Sequence, residues 1–207
     1  MKRIVIDNLL LKRKSAIQKP LSFSLEAGKG LAIYGSNGSG KSTLLDTIAG
    51  VLPYKGGKIE INGVLGYVIH YGGFEEHLTC LDNLYLEARY AKMPKEKIDE
   101  RIIFCSDRCG ITPFLNTKIR KLSTGMRVRV MIAASLLVRP DILLMDESFN
   151  ALDERSVYQI KQLLLEEKKN GLSLLVVSHR LSDFQDICER IFLFENNEVI
   201  DFEDFKL

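Results

Sequence analysis

The sequence predicts an α/β protein, a mainly parallel sheet interrupted in its middle by a run of helices. Three observations predict it. Short apolar runs alternate with helix-period segments in the first third and again in the last third, the pattern of strand–helix–strand crossovers. From about residue 78 to 137 the periodicity is helical throughout. A glycine-rich loop at residues 35–42 joins an apolar strand to an amphipathic helix.

Taken in order, Ile4-Val5-Ile6 and residues 21–25 read as strands. A turn over residues 27–30 feeds Leu31-Ala32-Ile33-Tyr34, a short buried strand. Leu44, Leu45 and Ile48 form one face of a short helix that Gly50 ends. Residues 58–62 and 66–69 are two further strands. Leu81, Leu84, Tyr85, Ala88 and Ala91 recur at helical period, with Thr79 as N-cap and Asp82 three residues on. Pro94 suits the first position of the next helix, which runs to about Cys109 and carries Ile98, Ile102, Cys105 and Cys109 on one face. A third helix begins near Ser123, continues through Val130, Ala133, Ala134 and Leu137, and stops before Pro140. Residues 142–145 form a buried strand, 156–170 a helix, 174–177 a strand and about 183–190 another helix. Asn196-Asn197 turns a closing hairpin between residues 191–194 and 199–202.

Composition narrows the function. The 207 residues are 46% hydrophobic and 27% charged, enough for one domain to bury a core without disulfides. No uncharged apolar run approaches the roughly 18 residues of a membrane span. The densest, residues 130–138, is too short, and Lys2-Arg3 has no long apolar region behind it, so no secretory signal is expected. Twenty-nine basic against 27 acidic residues argue against a protein built around a nucleic-acid backbone. Cys80, Cys105, Cys109 and Cys188 form no CxxC pair, and there are three histidines, so neither a zinc site nor a disulfide framework is expected and a reducing cytosol is the default.

Gly35-Ser36-Asn37-Gly38-Ser39-Gly40-Lys41-Ser42 fits G-x-x-x-x-G-K-[ST]. Glycines let the backbone curl until several N–H groups face one anion, and the following helix aims its positive end there. Lys41 would bridge β- and γ-phosphates and the Ser42 hydroxyl would take Mg²⁺, with Thr43 beside them in the same turn. The apolar run Ile142-Leu143-Leu144-Met145 ends in Asp146-Glu147. Two carboxylates at the end of a buried strand are costly unless a cation compensates. Asp146 is assigned to the Mg²⁺ ion and Glu147 to orienting and deprotonating an attacking water.

With Leu122-Ser123-Thr124-Gly125-Met126 resembling a signature motif, Glu147-Ser148-Phe149-Asn150-Ala151-Leu152-Asp153 resembling a dimer loop and His179 resembling a switch histidine, the chain resembles the ATP-binding cassette (ABC) ATPases over almost its whole length. The resemblance implies a P-loop NTPase core with mainly parallel sheet, N-terminal antiparallel strands and an inserted helical subdomain. Residues 1–207 would be a single cassette, and approximately 78–137 the subdomain carrying the signature. It implies ATP hydrolysis with Mg²⁺, two copies (or a closely related second subunit) packed head to tail, and Ser123 and Gly125 of one covering ATP on the loop of the other. His179 would hydrogen-bond the γ-phosphate. A separate transmembrane permease would hold the chain on the cytoplasmic face of the membrane. The Ser-Thr-Gly-Met signature and Gly72-Gly73-Phe74 most resemble exporter members, and the close of the sequence soon after the last hairpin leaves no expected regulatory tail. The alternative is a soluble ABC-type ATPase acting in protein assembly or on nucleic acid. The single cassette and the lack of a long coiled-coil insertion weigh against it. A module that has lost hydrolysis is opposed by the presence of both Asp146 and Glu147.

Three departures from the family pattern stand out. His70 occupies the place of the usual glutamine and is expected either to replace it as a hydrogen-bonding group at the nucleotide site or to leave that link weaker, and with residues 71–74 to contact the permease. Ser148-Phe149 stand where the family has Pro-Thr. No aromatic residue precedes Phe23 to stack on adenine; Leu11-Lys12-Arg13-Lys14 lie there instead, and an aliphatic stem or guanidinium would rest on the base. GTP is therefore expected to compete within about tenfold of ATP, a gap of about 1.4 kcal/mol. Competition binding measures this, and a much larger preference for ATP overturns it.

Overall fold

A computed structural model describes residues 1–12, 19–69, 73–195 and 198–201. The first strands are longer than the apolar cores that announce them: β1 (Lys2–Leu11), β2 (Leu21–Glu26) and β3 (Gly30–Tyr34). Helix α1 (Lys41–Ile48) follows the glycine-rich loop, and β4 (Tyr54–Ile61) and β5 (Leu65–Val68) follow α1. The helical middle holds α2 (Cys80–Tyr90), α3 (Lys95–Arg108) and α4 (Thr124–Leu137). Then come β6 (Ile142–Asp146), α5 (Glu154–Lys169), β7 (Ser173–Ser178), β8 (Arg190–Glu195) and β9 (Glu198–Asp201). Among the described residues no helix is long and apolar enough to cross a membrane.

The chain divides into two compact units. The first comprises Met1–Tyr67, Asp141–Glu147 and Glu167–Leu207. In it β1 pairs antiparallel with β2 and β4, giving the order β2-β1-β4. The larger sheet runs β5-β6-β7-β3-β8-β9, with β6, β7, β3 and β8 parallel and β9 antiparallel to β8. The central strands β6 and β7 are buried at every residue, which is why they read as continuous apolar runs rather than alternating ones. Ile4, Ile6, Leu9, Phe23, Leu44, Leu45, Leu144 and Leu175 belong to one core cluster joining both sheets and α1.

The second unit comprises Val68–Pro140 and Ser148–Glu166. Thr79 and Asp82 form a full capping box at the start of α2. Cys105 and Cys109 are buried along the apolar face of α3. Pro94 differs from expectation by one place. It is the N-cap, with an extended backbone (ψ 133°), and Lys95 opens the helix. Arg101 donates from Nε and Nη2 to the carbonyls of Leu137 and Leu136, satisfying the otherwise open end of α4.

The helix expected over about 183–190 does not form. A 3₁₀ turn at Leu181–Asp183 stops at Phe184, whose backbone (φ −136°, ψ −12°) leaves the helical region. The apolar spacing there serves burial of Phe184 and Ile187 through turns, and the Glu189 amide is drawn to the Gly30 carbonyl at the start of β3. Asn196, Asn197 and Phe202 of the expected hairpin lie outside the described residues.

The capping box predicts that Thr79→Ala lowers the unfolding free energy by about 1 kcal/mol, read as a lower urea midpoint at unchanged slope.

Candidate functional site

Parallel register brings three strand ends to one edge. Tyr34 of β3 is level with Ser178 of β7, and Asp146 of β6 with Val177 of β7. The segments that leave those ends carry Gly35–Ser42, Glu147 and His179. This is the C-terminal edge of a parallel sheet, where open α/β folds bind ligands.

The loop is shaped by two left-handed glycines, Gly38 (φ 78°) and Gly40 (φ 104°). Gly40 is the N-cap of α1 and offers no side chain to its free amides, and no acidic residue stands in the first turn. The positive end of the helix is thus left to an anion. Gly35 is needed for another reason: a Cβ there would meet the Phe194 carbonyl oxygen at 2.4 Å. Ser36, Asn37 and Gly38 are exposed at the loop's crest, and Ser39 and Gly40 half-buried at its return. Thr43 lies in the first turn of α1, its carbonyl accepting from the Thr47 hydroxyl at 2.7 Å.

Lys41 is buried, 4% exposed, and its ammonium donates to the carbonyls of Gly35 and Ser36, both at 2.8 Å. Glu147 Oε1 is 3.7 Å from the same nitrogen. Burial pushes the Lys41 pKa below the ordinary lysine value, and the charges of Glu147 and Asp146 oppose that shift. Glu147 has a left-handed backbone (φ 47°), rare for a residue with a side chain, and its amide donates to the Val177 carbonyl at 3.0 Å. Its Oε2 lies 2.8 Å from His179 Nδ1. A carboxylate only accepts, so this contact assigns the proton to Nδ1.

The donor chemistry fits a magnesium ion. Asp146 is a nearly buried carboxylate (5% exposed) at the end of β6, and Ser42 is an exposed hydroxyl in the first turn of α1. Two hard oxygens suit a cation that takes its remaining ligands from phosphate and water.

In the second unit Ser123 caps α4, its hydroxyl accepting from the Met126 amide at 3.2 Å. Gly125 is required by close approach: a Cβ would stand 2.6 Å from the Ala151 carbonyl oxygen. The Glu76 carboxylate holds Arg127 of α4 by paired hydrogen bonds, its backbone carbonyl accepts from the Arg120 amide, and the bond to Arg127 lowers the Glu76 pKa. Asp153 receives the Ser156 amide and hydroxyl ahead of α5. Phe149 is buried (1% exposed), with the Lys161 ammonium 5.8 Å from its ring centroid. His70, Tyr71 and Gly72, and the expected base-contacting Arg13 and Lys14, lie outside the described residues.

Sequence reasoning missed the left-handed Glu147, the Glu76–Arg127 clamp and the carboxylate of Asp183 beside the His179 turn. The i, i+3 spacing of Arg180 and Asp183 was the one local signal for the last.

A phosphate-binding loop at the carboxyl edge of such a sheet defines a P-loop nucleotide-binding protein. The family model for ABC transporter matches residues 18–150, and the chain belongs to that family. It is 31% identical over 192 residues to the O-antigen export system ATP-binding protein RfbB of Klebsiella pneumoniae, covering 92% of this chain and 78% of that one. It is 32% identical over 208 residues to the methionine import ATP-binding protein MetN of Clostridioides difficile, covering 92% of this chain and 65% of that protein. The dimeric structure of a bacterial ABC transporter cassette superposes with a TM-score of 0.85 at 26% identity, over 95% of this chain and 96% of that one. The family is that of the ATP-hydrolysing subunits of ABC transporters, exporters and importers alike.

Close packing at Gly35 sets an order between two substitutions. Gly35→Ala is expected to lower the thermal midpoint more than Gly38→Ala. The latter meets nothing within 4 Å and bears only the left-handed backbone cost, about 1–2 kcal/mol. Thermal denaturation of both variants measures it.

Proposed function

We propose that this chain is the energy-coupling ATPase of a membrane exporter, with residues 1–207 one cassette and about 78–137 its signature-bearing subdomain. The observation that carries the reading is the cluster of Lys41, Glu147 and His179 at the phosphate loop. Lys41 leaves the Gly35 and Ser36 carbonyls for the β- and γ-phosphates of ATP, and the amides of residues 38–43 line the same anion. Ser42 and Asp146 would hold Mg²⁺, which neutralises phosphate charge when bound. Glu147 orients a water and takes its proton. His179 donates from Nδ1 to Glu147 and, when both ring nitrogens carry protons, from Nε2 to the γ-phosphate. Ser123 and Gly125 of a second copy cover the nucleotide with the positive end of α4. Ordering around the γ-phosphate draws two copies together, and hydrolysis releases them.

Export is favoured over import by the Ser-Thr-Gly-Met signature; the relatives include O-antigen and teichoic acids export ATPases beside a methionine import ATPase. A separate transmembrane permease would dock through residues 70–74 and keep the chain at the cytoplasmic face of the membrane.

Lys41→Ala is expected to weaken triphosphate binding. Glu147→Gln is expected to keep binding, slow hydrolysis by about 10²–10⁴ and trap an ATP-bound dimer. Equilibrium binding, phosphate release and size-exclusion chromatography with ATP measure these outcomes. Parental turnover by Glu147→Gln removes the assignment.

A further inference from the structure

His179 stands at the end of β7, on a segment that has left the sheet. Nothing in its own side chain fixes its backbone, yet its Nδ1 lies 2.8 Å from Glu147 Oε2. The residues on either side of it are both tied to one carboxylate. Ser178 donates its hydroxyl to Asp183 Oδ2, and Arg180 donates to Asp183 Oδ1 from Nη2 at 2.8 Å and from Nε at 3.2 Å. The Arg180 amide donates to Ser178 Oγ at 3.1 Å, and the Asp183 amide to the Arg180 carbonyl at 3.2 Å. Asp183 is 1% exposed. A buried carboxylate is stable only when its lone pairs are filled, so the ring of contacts has little freedom to open.

We propose that Asp183 is a positioning residue for His179: its carboxylate closes the six-residue turn from Ser178 to Asp183 and holds the imidazole on Glu147. The inference rests on the role given to His179 above. Asp183 is bonded to Ser178 and Arg180 on either side of the imidazole and acts only through that ring. A carboxylate that merely filled the core beneath the turn would leave the imidazole where it is when replaced by an isosteric amide.

Two readouts test this in the full chain. The first is the ¹⁵N spectrum of the imidazoles. The chain has three histidines, so the His179 signals are identified by their loss in His179→Ala. In the parent at high pH, the neutral ring is expected to hold its proton on Nδ1, against Glu147. In Asp183→Asn the signal should move toward the Nε2–H form that a free imidazole favours. The second is turnover. Asp183→Asn should lower kcat about tenfold while KM for ATP stays within about twofold, the signature of lost alignment rather than lost binding. Added to His179→Ala, the same substitution should lower kcat no further. Ser178→Ala removes one arm of the ring without stranding a buried charge, and carries both measurements if Asp183→Asn fails to fold.

An unchanged His179 spectrum in these variants overturns the proposal, as does an equal loss of kcat in the parent and the His179→Ala background. A shifted spectrum with parental turnover upholds the positioning and removes instead the hydrolytic role of His179.

Discussion

The first unit is organised around one buried ammonium. Lys41 sits in the first turn of a helix with almost no access to water, where an unpaired cation is several kcal/mol unfavourable. Two carbonyls from the start of its own loop and the carboxylate of Glu147 meet that charge. The carboxylates in turn stand at the end of a fully buried strand and need a cation as much as the lysine needs them. Lysine and acids come from distant parts of the sequence, and the parallel register of β3, β7 and β6 makes them neighbours. Sheet order and charge balance are therefore one constraint: shift β6 by a residue along β7, and its terminal acids are misplaced against the phosphate loop.

In the second unit polar clamps do what the apolar helix α4 cannot. Half of its fourteen residues are buried, and its ends are satisfied by specific partners. Arg101 closes the C-terminal carbonyls, Ser123 the N-terminal amides, and Glu76 holds Arg127 near the first turn. Gly125 lets the carbonyl of Ala151 pass close beside the helix tip. The segment around residues 75–79 is itself fastened to α2, where Asn83 bonds the Glu75 amide and the carbonyls of Glu75 and Thr79.

Much of this was legible in the sequence where a single local rule decides the outcome. The capping box of α2, the stop before Pro140 and the buried strands β6 and β7 follow from spacing and composition. The phosphate loop is legible because glycine, lysine and serine at fixed offsets serve one physical purpose. What was not legible depends on contacts between distant segments. Leu181, Phe184 and Ile187 carry a helical spacing, yet Asp183 is drawn to Ser178 and Arg180, and the Glu189 amide to Gly30. Phe149 had no account in sequence because its burial against Lys161 is tertiary. The left-handed backbone of Glu147 has no signature, since the residue type itself disfavours it.

The four buried cysteines have a practical consequence. Cys80, Cys105 and Cys109 are sealed in the second unit and Cys188 in the first, and burial raises the thiol pKa of Cys80 and Cys109. All four are buried while the chain is folded, so alkylating reagents have to wait for breathing motions that uncover them. Labelling followed by peptide mapping would then act as a pair of built-in clocks, one timing the opening of the sheet unit and three that of the helices, with no engineered probe.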